Sequence, residues 1–353
     1  MTVEEEGRTH APRQAARVPR VTIADIAEEA GVSVATVSKV LNGHAHVADA
    51  TRQKVEALLA GHNYLRRRSR TVRTVGLIDL VINELDSPWS IEVVRGVEET
   101  TASHDSGLVV TAVHGRAADT RRWLDNLVKR GSDGVILAVT ALAPAQWRKV
   151  EEFGIPLVVV DPIGHPDPTI PSVGATNWHG GLAATQHLLA LGHRRVGIIT
   201  GPDDILSARA RLDGYRAALE GAGVGVDPAL EVRGDFHHET GFSGARHLLS
   251  LPQPPTAIFA SSDLQALGAY DAVRRAGLRV GPDVSIVGFD DLPVASWASP
   301  PLTTVRQPLS DMAAMAARIV LEGVETVLPG EMRRAELATA LVERESTAPV
   351  PAR

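Results

Sequence analysis

Several charged and hydroxyl-bearing residues stand directly after short apolar runs, where a parallel sheet would bring them to one edge. They are Asp161 in VVVD, Ser262 and Asp263 in FASSD, and Asp290 and Asp291 in VGFDD; a further candidate, Arg211, lies in SARAR. Carboxylates and a guanidinium pair well with hydroxyl groups, and an aromatic face covers the CH side of a sugar ring. These residue types predict a site for a hydroxyl-rich ligand.

Each of these residues also has a purely structural interpretation. Asp290 or Asp291 could cap the segment that follows, and Arg211 could belong to an internal salt bridge. Because these residues converge at strand ends, a ligand site explains them better together than separate structural roles do.

Patterns that would indicate catalysis or a metal are weak. GAGVGV at 221–226 follows a helix instead of opening one after a strand, and the HHE sequence at 237–239 lacks the HExxH spacing. Neither GxxxxGK[ST] nor GxSxG occurs, and His44 and His46 are isolated histidines in a loop. We therefore expect no enzyme activity, no cofactor and no metal.

Residues 22–42, TIADIAEEAGVSVATVSKVLN, predict two short helices joined by a turn at Gly31. Thr22 and Ser33 are suitable N-caps, and apolar residues recur at helical spacing on the inward faces. The other face of the second helix is small, polar or cationic, which suits a DNA major groove. An ordinary αα-hairpin is the structural alternative.

A third amphipathic helix follows in VADATRQKVEALLAGHNY, and the whole segment to Tyr64 closely resembles the DNA-binding head of the LacI/GalR family. The resemblance implies that Val34, Ala35 and Lys39 face the bases. Lys39 can donate to guanine, whereas Val34 and Ala35 offer only apolar contact; for Val34 an exposed filler is the alternative. Phosphate or sugar contacts are implied for Ser33, Thr36, Ser38, Asn42, His46 and Tyr64, and Thr22 is included in the DNA-binding set.

The connector after the head is unusually basic, with five arginines among residues 66–73. It is shorter than the usual family connector and lacks the Pro-Asn start and the leucine wedge, which puts minor-groove kinking in doubt. We hypothesise that Arg66, Arg67 and Arg68 clamp phosphates instead, with an affinity that falls steeply with salt. A solvated charge run is the alternative.

From Thr74 onward, apolar runs alternate with helical stretches, which predicts parallel sheets covered on both faces. The first set of strands comprises VGLIDLVI, GLVVTAV, DGVILAV and IPLVVVD, and the second begins with SVGAT. The predicted fold is an N-terminal all-α helix-turn-helix head plus a two-lobed α/β domain with doubly wound parallel sheets. Its resemblance is to the type I periplasmic-binding-protein fold, used as an effector sensor.

The expected division is a disordered extension at 1–19, the head at 20–64, the linker at 65–73 and an effector and dimerisation domain at 74–347, followed by a tail at 348–353. The first lobe would span about 74–175 and 306–334, and the second about 176–305 and 335–347. The helix MAAMAARIVLEGVE is rich in small residues, and the sequence is compatible both with a homodimer interface and with a core face for it.

The family resemblance also implies an effector-binding set: Asp86, Trp89, Asp161, Arg211, Phe236, Ser262, Asp290 and Gln307. Ser262 stands where the lactose repressor carries a longer amide side chain, so this contact is expected to differ. Residue type and position in the sequence predict only the strand-end members of this set. The other members rest on the resemblance.

The overall composition supports a DNA partner at one end only. The net charge of the chain is −6. Residues 20–73 nevertheless carry nine Lys/Arg and five Asp/Glu, a net charge of +4, and the charges of residues 1–19 cancel. The rest of the chain therefore carries a net charge of −10, so only the N-terminal part suits a nucleic-acid partner. Without cysteines, a signal peptide or a membrane-length apolar run, a cytoplasmic, nucleoid-associated protein is expected. We expect a homodimeric repressor of operator DNA controlled by a small carbohydrate; a sugar sensor without operator recognition is the alternative.

Overall fold

The computed structural model describes residues 23–41, 47–61, 75–138, 142–164, 167–328 and 332–350. The chain divides into two compact units, residues 1–73 and 74–353. The first unit contains helices α1 (Ile23–Ala30), α2 (Val34–Leu41) and α3 (Asp49–Gly61).

The three helices of the first unit enclose a small apolar core. Its buried members are the predicted inward residues Ile26, Ala27, Ala30, Val37, Val40 and Val55. Gly31 adopts a φ of +67°, which allows the sharp turn between α1 and α2. Ser33 caps α2 because its Oγ accepts a 3.1 Å hydrogen bond from the Thr36 amide. The predicted cap at Thr22 lies outside the described residues.

The second unit opens with alternating strands and helices. In chain order these are β1 (Leu77–Ile82), α4 (Pro88–Ser103), β2 (Gly107–Ala112), α5 (Ala117–Arg130), β3 (Gly134–Ala138), α6 (Pro144–Phe153), β4 (Leu157–Val160) and β5 (Ser172–Ala175). All pairings among these strands are parallel. The strands read as continuous apolar runs because both faces of the sheet are covered.

A second run of elements follows. It comprises α7 (Asn177–Ala190), β6 (Val196–Ile199), α8 (Leu206–Gly221), β7 (Glu231–Val232), α9 (His238–Leu249), β8 (Ala257–Ala260), α10 (Asp263–Arg275), β9 (Ser285–Asp290), α11 (Pro293–Trp297) and β10 (Thr303–Arg306). The last elements are α12 (Leu309–Glu322), α13 (Val324–Val327), β11 (Arg334–Leu337) and β12 (Ala340–Val342).

The strands form two six-stranded sheets, one in each lobe, in the orders β11-β5-β4-β3-β1-β2 and β12-β10-β9-β8-β6-β7. Only β12 runs antiparallel to its neighbour among these pairings. Each sheet has an apolar cluster on either face: the cluster with α4 and α12 lies opposite that of α5 in the first lobe, and α7 and α8 lie opposite α9 and α10 in the second. Two doubly wound lobes were predicted, and this architecture agrees.

Two details differ from the sequence interpretation, and a third concerns an alternative that the sequence left open. The SVGA strand, β5, was grouped with the second set of strands, but it belongs to the first sheet, in agreement with the expected end of the first lobe segment at 175. Strand β11 also lies in the first sheet, so the boundary expected between 334 and 335 falls after Leu337. The small-residue helix α12 is a core helix: Met312, Ala313, Ala316 and Ala317 are buried. It lies close to α4 because Gly96 has no side chain; a Cβ there would stand 2.3 Å from the Ser310 carbonyl oxygen.

The chain crosses between the lobes three times, after β5, after β10 and between β11 and β12. Thr176 and Thr339 join the first and third crossings. The Thr339 amide donates to Thr176 Oγ1 at 2.9 Å, and Thr339 Oγ1 donates to the Thr176 carbonyl at 3.2 Å. These bonds fix the two crossings to each other.

The C-terminal segment closes the second lobe. Ser346 Oγ donates to the Ile286 carbonyl at 2.6 Å and accepts from the Thr303 amide at 2.8 Å. His193 Nε2 lies 3.0 Å from the Ala348 carbonyl oxygen. Residues late in the sequence thus complete the core around β9 and β10.

Candidate functional site

The residues predicted to face DNA bases lie on the solvent side of α2. Val34 is 51% exposed although it is apolar, and Ala35 and Lys39 are exposed as well. Thr36 is half-buried and its Oγ1 lies 2.9 Å from Ser33 Oγ. An exposed valine beside a cation suits contact with a base-pair edge. The Ser38 side chain and the predictions at Thr22, Asn42, His46, Tyr64, Arg66, Arg67 and Arg68 lie outside the described residues.

A cavity of about 300 Å³ lies between the two lobes of the second unit, and we call it the cleft. Six of the predicted effector residues line it: Trp89 and Asp161 from the first lobe, and Arg211, Phe236, Ser262 and Asp290 from the second. Asp161, Ser262 and Asp290 come at or just after the ends of β4, β8 and β9. The cleft is therefore built at the carboxyl edges of both sheets, where doubly wound folds bind ligands.

Arg211 is the cation of the cleft and is held rigidly. Its Nε donates to Asn177 Oδ1 at 2.8 Å, and its Nη1 donates to the Ser261 carbonyl at 2.5 Å. The guanidinium carbon lies 3.7 Å from the centroid of the Phe289 ring and 5.5 Å from that of Phe236. This arrangement fixes the planar donor group before any ligand arrives, which reduces the entropy lost on binding.

Two buried carboxylates accompany Arg211. Asp290 Oδ1 lies 3.7 Å from Arg211 Nη1. Burial raises the pKa of Asp161 to about 6, although the charge of Arg211 opposes the shift. Burial also raises the pKa of Asp290, again against the charge of Arg211. Both groups thus become charged at a higher pH than an exposed aspartate, and a ligand that donates hydroxyl groups would favour their charged forms.

The backbone of the cleft is unusual at the same positions. Asp161, Phe236 and Asp290 adopt φ values of +47°, +73° and +114°, which non-glycine residues rarely adopt. Phe236 is seated over Gly201, where an added Cβ would stand 2.2 Å from the ring. Such conformations persist where the surrounding structure enforces them, and they are typical of ligand sites.

Two residues of the predicted effector set do not line the cleft. Asp86 is exposed in the loop between β1 and α4, whereas its neighbours Asn83, Glu84 and Ser87 do line the cleft. Gln307 lies behind the wall and donates a 2.6 Å hydrogen bond from Nε2 to Asp290 Oδ1. Gln307 can therefore position Asp290 but does not face the ligand space.

The structural alternatives explain two other strand-end carboxylates. Asp291 pairs with Arg306 at 2.7 Å and with Arg344 at 2.6 Å. Asp263 accepts from the Leu292 amide at 2.7 Å and from Thr304 Oγ1 at 2.5 Å. Neither lines the cleft. Both hold the loop after β9 in place.

Ser262 lines the cleft, but its hydroxyl is already engaged. Its Oγ donates to the Phe236 carbonyl at 2.7 Å and accepts from the Gln265 amide at 3.1 Å, which caps α10. The short side chain of Ser262 therefore forms part of the cleft wall, and its hydroxyl is used in hydrogen bonds within the protein.

The sequence interpretation missed several lining residues, mainly Asn83, Glu84, Ser87 and Ser90 from the β1–α4 region and Asp235 from the loop before α9. Their position after β1 and β7 was the available signal, because loops at the carboxyl ends of strands line such clefts. The cleft carboxylates are Glu84, Asp161, Asp235 and Asp290, against the single arginine Arg211. Once these groups are ionised they outnumber the arginine, so an anionic ligand would meet a negative field.

The described part of the chain holds no cluster of three or more metal-ligating side chains. None of its helices is long and apolar enough to cross a bilayer.

Comparison with known proteins identifies relatives of both units. A family model for bacterial regulatory proteins of the lacI family matches residues 22–67, and a periplasmic binding protein-like domain matches residues 185–347. The chain is 35% identical to the ribose operon repressor of Escherichia coli (strain K12) over 329 residues, covering 92% of this chain and 99% of the relative.

Two solved structures extend the similarity to the whole architecture. A complex of the transcriptional regulator CelR with cellobiose has a TM-score of 0.71 and 34% identity, and covers 93% of this chain and 100% of its own. The lac repressor dimer bound to operator and the anti-inducer ONPF has a TM-score of 0.68 and 30% identity, with 94% and 100% covered.

Proposed function

This chain belongs to the lacI family of bacterial regulatory proteins, and from that membership we propose that it is a repressor that binds operator DNA and responds to a small neutral carbohydrate. One observation carries the proposal: the same chain holds a helix-turn-helix with an exposed recognition face and a cleft whose polar walls come from two lobes. Members of the family are transcriptional regulators, so we propose no catalytic role for the cleft.

The chemistry of the cleft supports a carbohydrate. Arg211 offers fixed donors, Asp161 and Asp290 accept hydroxyl protons, and Trp89 and Phe236 offer apolar faces. With four lining carboxylates against one arginine, a neutral polyol fits better than a sugar phosphate. The ribose and cellobiose named for its relatives agree with this ligand class.

The cleft also suggests how ligand binding is communicated. A sugar that contacts Asp161 on one lobe and Arg211 on the other gains both sets of contacts only in one arrangement of the lobes. Its binding therefore shifts the population toward that arrangement. Coupling of this type changes the affinity at the second site by about 5–150-fold.

On DNA, we propose a homodimer that places two copies of α2 on the half-sites of a pseudo-palindromic operator. Val34, Ala35 and Lys39 would face bases. Ser33, Thr36, Ser38 and the basic segment Arg66–Arg68 would hold phosphates. The proposed place of action is accordingly the chromosome.

The test measures both activities of the full-length protein together. Fluorescence anisotropy on a pool of pseudo-palindromic duplexes, at fixed salt, is repeated with a panel of mono- and disaccharides. We expect sequence-selective binding that one sugar class shifts by at least about fivefold. Sugar binding with no preference among duplexes would instead support a sensor without operator recognition.

A further inference from the structure

A second cavity, of about 280 Å³, lies beside the cleft on the side of the lobe crossings. We call it the hinge annex and define it by Gly174, Ala175, Asn177, Trp178, Arg334 and Glu336. Its walls come from the end of β5, the start of α7, the first turn of α8 and strand β11. The annex is thus built from both lobes, as the cleft is.

The annex and the cleft share two wall residues, Asp161 and Ser207. Asp161 is only 6% exposed, and no described residue donates a hydrogen bond to its carboxylate. Gly174 borders the same carboxylate: a Cβ on Gly174 would stand 3.5 Å from Asp161 Oδ1. A nine-tenths buried acceptor, to which none of the described residues donates, therefore stands between two cavities and can receive hydroxyl groups from either side.

The other groups of the annex suit a second sugar ring. Trp178 is 40% exposed, an unusual state for a tryptophan, and lines the annex wall. Arg334 and Glu336 form a 2.8 Å ion pair at its edge and supply donors and acceptors. Asn177 connects the annex to the cleft because its Oδ1 accepts from Arg211 Nε.

The charged residues that line both cavities favour a neutral ligand over an anionic one. The annex adds one carboxylate, Glu336, and one cation, Arg334, to the groups of the cleft, so the negative excess of the combined space is unchanged. Each cavity alone is close to the lower end of the size range of about 300–1,000 Å³ that is usual for ligand sites. The two together fall well inside that range.

We propose that the effector is a neutral disaccharide, or a longer glycoside, with one ring in the cleft and the next in the hinge annex against Trp178. Asp161 accepts hydrogen bonds from hydroxyl groups of both rings, so that one residue contacts the whole ligand. This inference rests on the proposed function, because it names the ligand class of the same sensor.

The experiment is isothermal titration calorimetry of the full-length protein with glucose, xylose and galactose and with cellobiose, xylobiose and lactose. We expect one disaccharide to bind at one molecule per chain, at least about tenfold more tightly than its constituent monosaccharide. A monosaccharide that binds as tightly as every disaccharide, or binds at two molecules per chain, overturns the proposal.

Two variants locate the second ring. Gly174→Val fills the annex beside Asp161, and Trp178→Ala removes the aromatic wall. Trp178→Ala should lower the disaccharide affinity about five- to tenfold while leaving monosaccharide affinity unchanged. Gly174→Val, whose side chain also borders Asp161, should lower the disaccharide affinity more than the monosaccharide affinity. Gly221→Ala is the matched control, because a Cβ at Gly221 meets nothing within 4 Å. Equal losses for both sugars, or none for the disaccharide, overturn the assignment of the annex.

Failure of this inference is distinguishable from failure of the proposed function. Suppose that monosaccharides bind and shift operator affinity, but that the annex variants do not alter the ratio of disaccharide to monosaccharide affinity. The proposed function would then be retained, and the role of the hinge annex would be rejected. If no sugar of the panel changes operator binding, the proposed function fails.

Discussion

Gln307 donates a 2.6 Å hydrogen bond to Asp290, and this bond joins the second lobe crossing to the wall of the cleft. Gln307 directly follows β10, where the chain leaves the second lobe, whereas Asp290 ends β9 and faces the ligand space. The bond therefore links the ligand-facing end of β9 to the segment by which the chain returns to the first lobe.

Gln307→Met tests this positioning role. The hydrogen bond from Gln307 lowers the pKa of Asp290, so its loss raises that pKa further. If the charged carboxylate receives the effector hydroxyls, the pH at which effector affinity declines should move upward in the variant. Titration of effector binding between pH 5 and 8 measures the shift. A uniform loss of affinity at every pH would mean that Gln307 acts only through stability.

Arg211→Lys should lower effector affinity at least about tenfold, because an ammonium group cannot reproduce the planar donor fork. Operator affinity without effector should remain unchanged, since Arg211 lies in the second unit. The matched control is Arg209→Lys on the exposed side of α8. Anisotropy titrations with and without sugar give both values; an unaltered dose response would remove Arg211 from the site.

Asp161→Asn should change the pH dependence of stability. In the folded protein the pKa of Asp161 is raised to about 6 from the ordinary 3.8, so the native state holds a proton that the unfolded state has lost. Wild-type stability therefore falls as pH rises through this interval. The variant escapes the penalty.

The free energy of unfolding of Asp161→Asn should exceed that of the wild type by up to about 3 kcal/mol above pH 6, with the difference vanishing near pH 4. Urea denaturation at pH 4.5 and 7.5 tests this. Asp86→Asn, on the exposed loop between β1 and α4, serves as the control substitution. A gap between Asp161→Asn and wild type that is constant with pH would contradict the assigned ionisation.

Lys39→Ala should reduce operator selectivity by roughly tenfold, because it removes a donor to base edges. Lys54→Ala, an exposed lysine of α3, is the control and should leave selectivity intact. Neutralising Arg66, Arg67 and Arg68 should instead weaken binding to all duplexes and reduce the salt slope by about one per arginine. Equal losses of selectivity from Lys39→Ala and from the arginine variant would contradict these roles.

Ser33→Ala should destabilise the N-terminal unit by about 1 kcal/mol, since the Thr36 amide loses its cap. Ser33→Asp keeps a capping acceptor but brings negative charge toward phosphate. We expect it to retain stability and lose DNA affinity. Thermal denaturation and anisotropy separate the two effects, and an Asp variant that binds DNA normally would exclude a phosphate contact at this position.

The sequence predicted the elements and the strand-end site because both depend on local patterns. Continuous apolar runs identify the buried strands, and apolar residues at a period of 3.6 identify the helices. Asp161 directly follows β4, and Asp290 is the last residue of β9. Side-chain direction within an irregular loop has no such signal. Glu84 faces the cleft and Asp86 faces solvent, a difference set by how the β1–α4 loop is packed and not by residue type.

Sheet membership was the other source of error. The SVGA strand precedes the first crossing, but no residue in it distinguishes one sheet from the other; its pairing with β4 and β11 does. The small residues of α12 allow it to pack closely against α4. From the sequence alone, this contact could not be distinguished from a contact with a second copy of the chain. Long-range partners decided both cases.

The three lobe crossings have a consequence for synthesis. The first lobe needs β11 and the second needs β12 and the segment to Ala348, so neither lobe can be completed until these late elements have left the ribosome. The N-terminal unit, by contrast, is contiguous and is synthesised first. A translation product interrupted before β11 would therefore carry the helix-turn-helix unit without a complete sensor, so the segment from Arg334 to Ala348 is as necessary to regulation as the cleft itself.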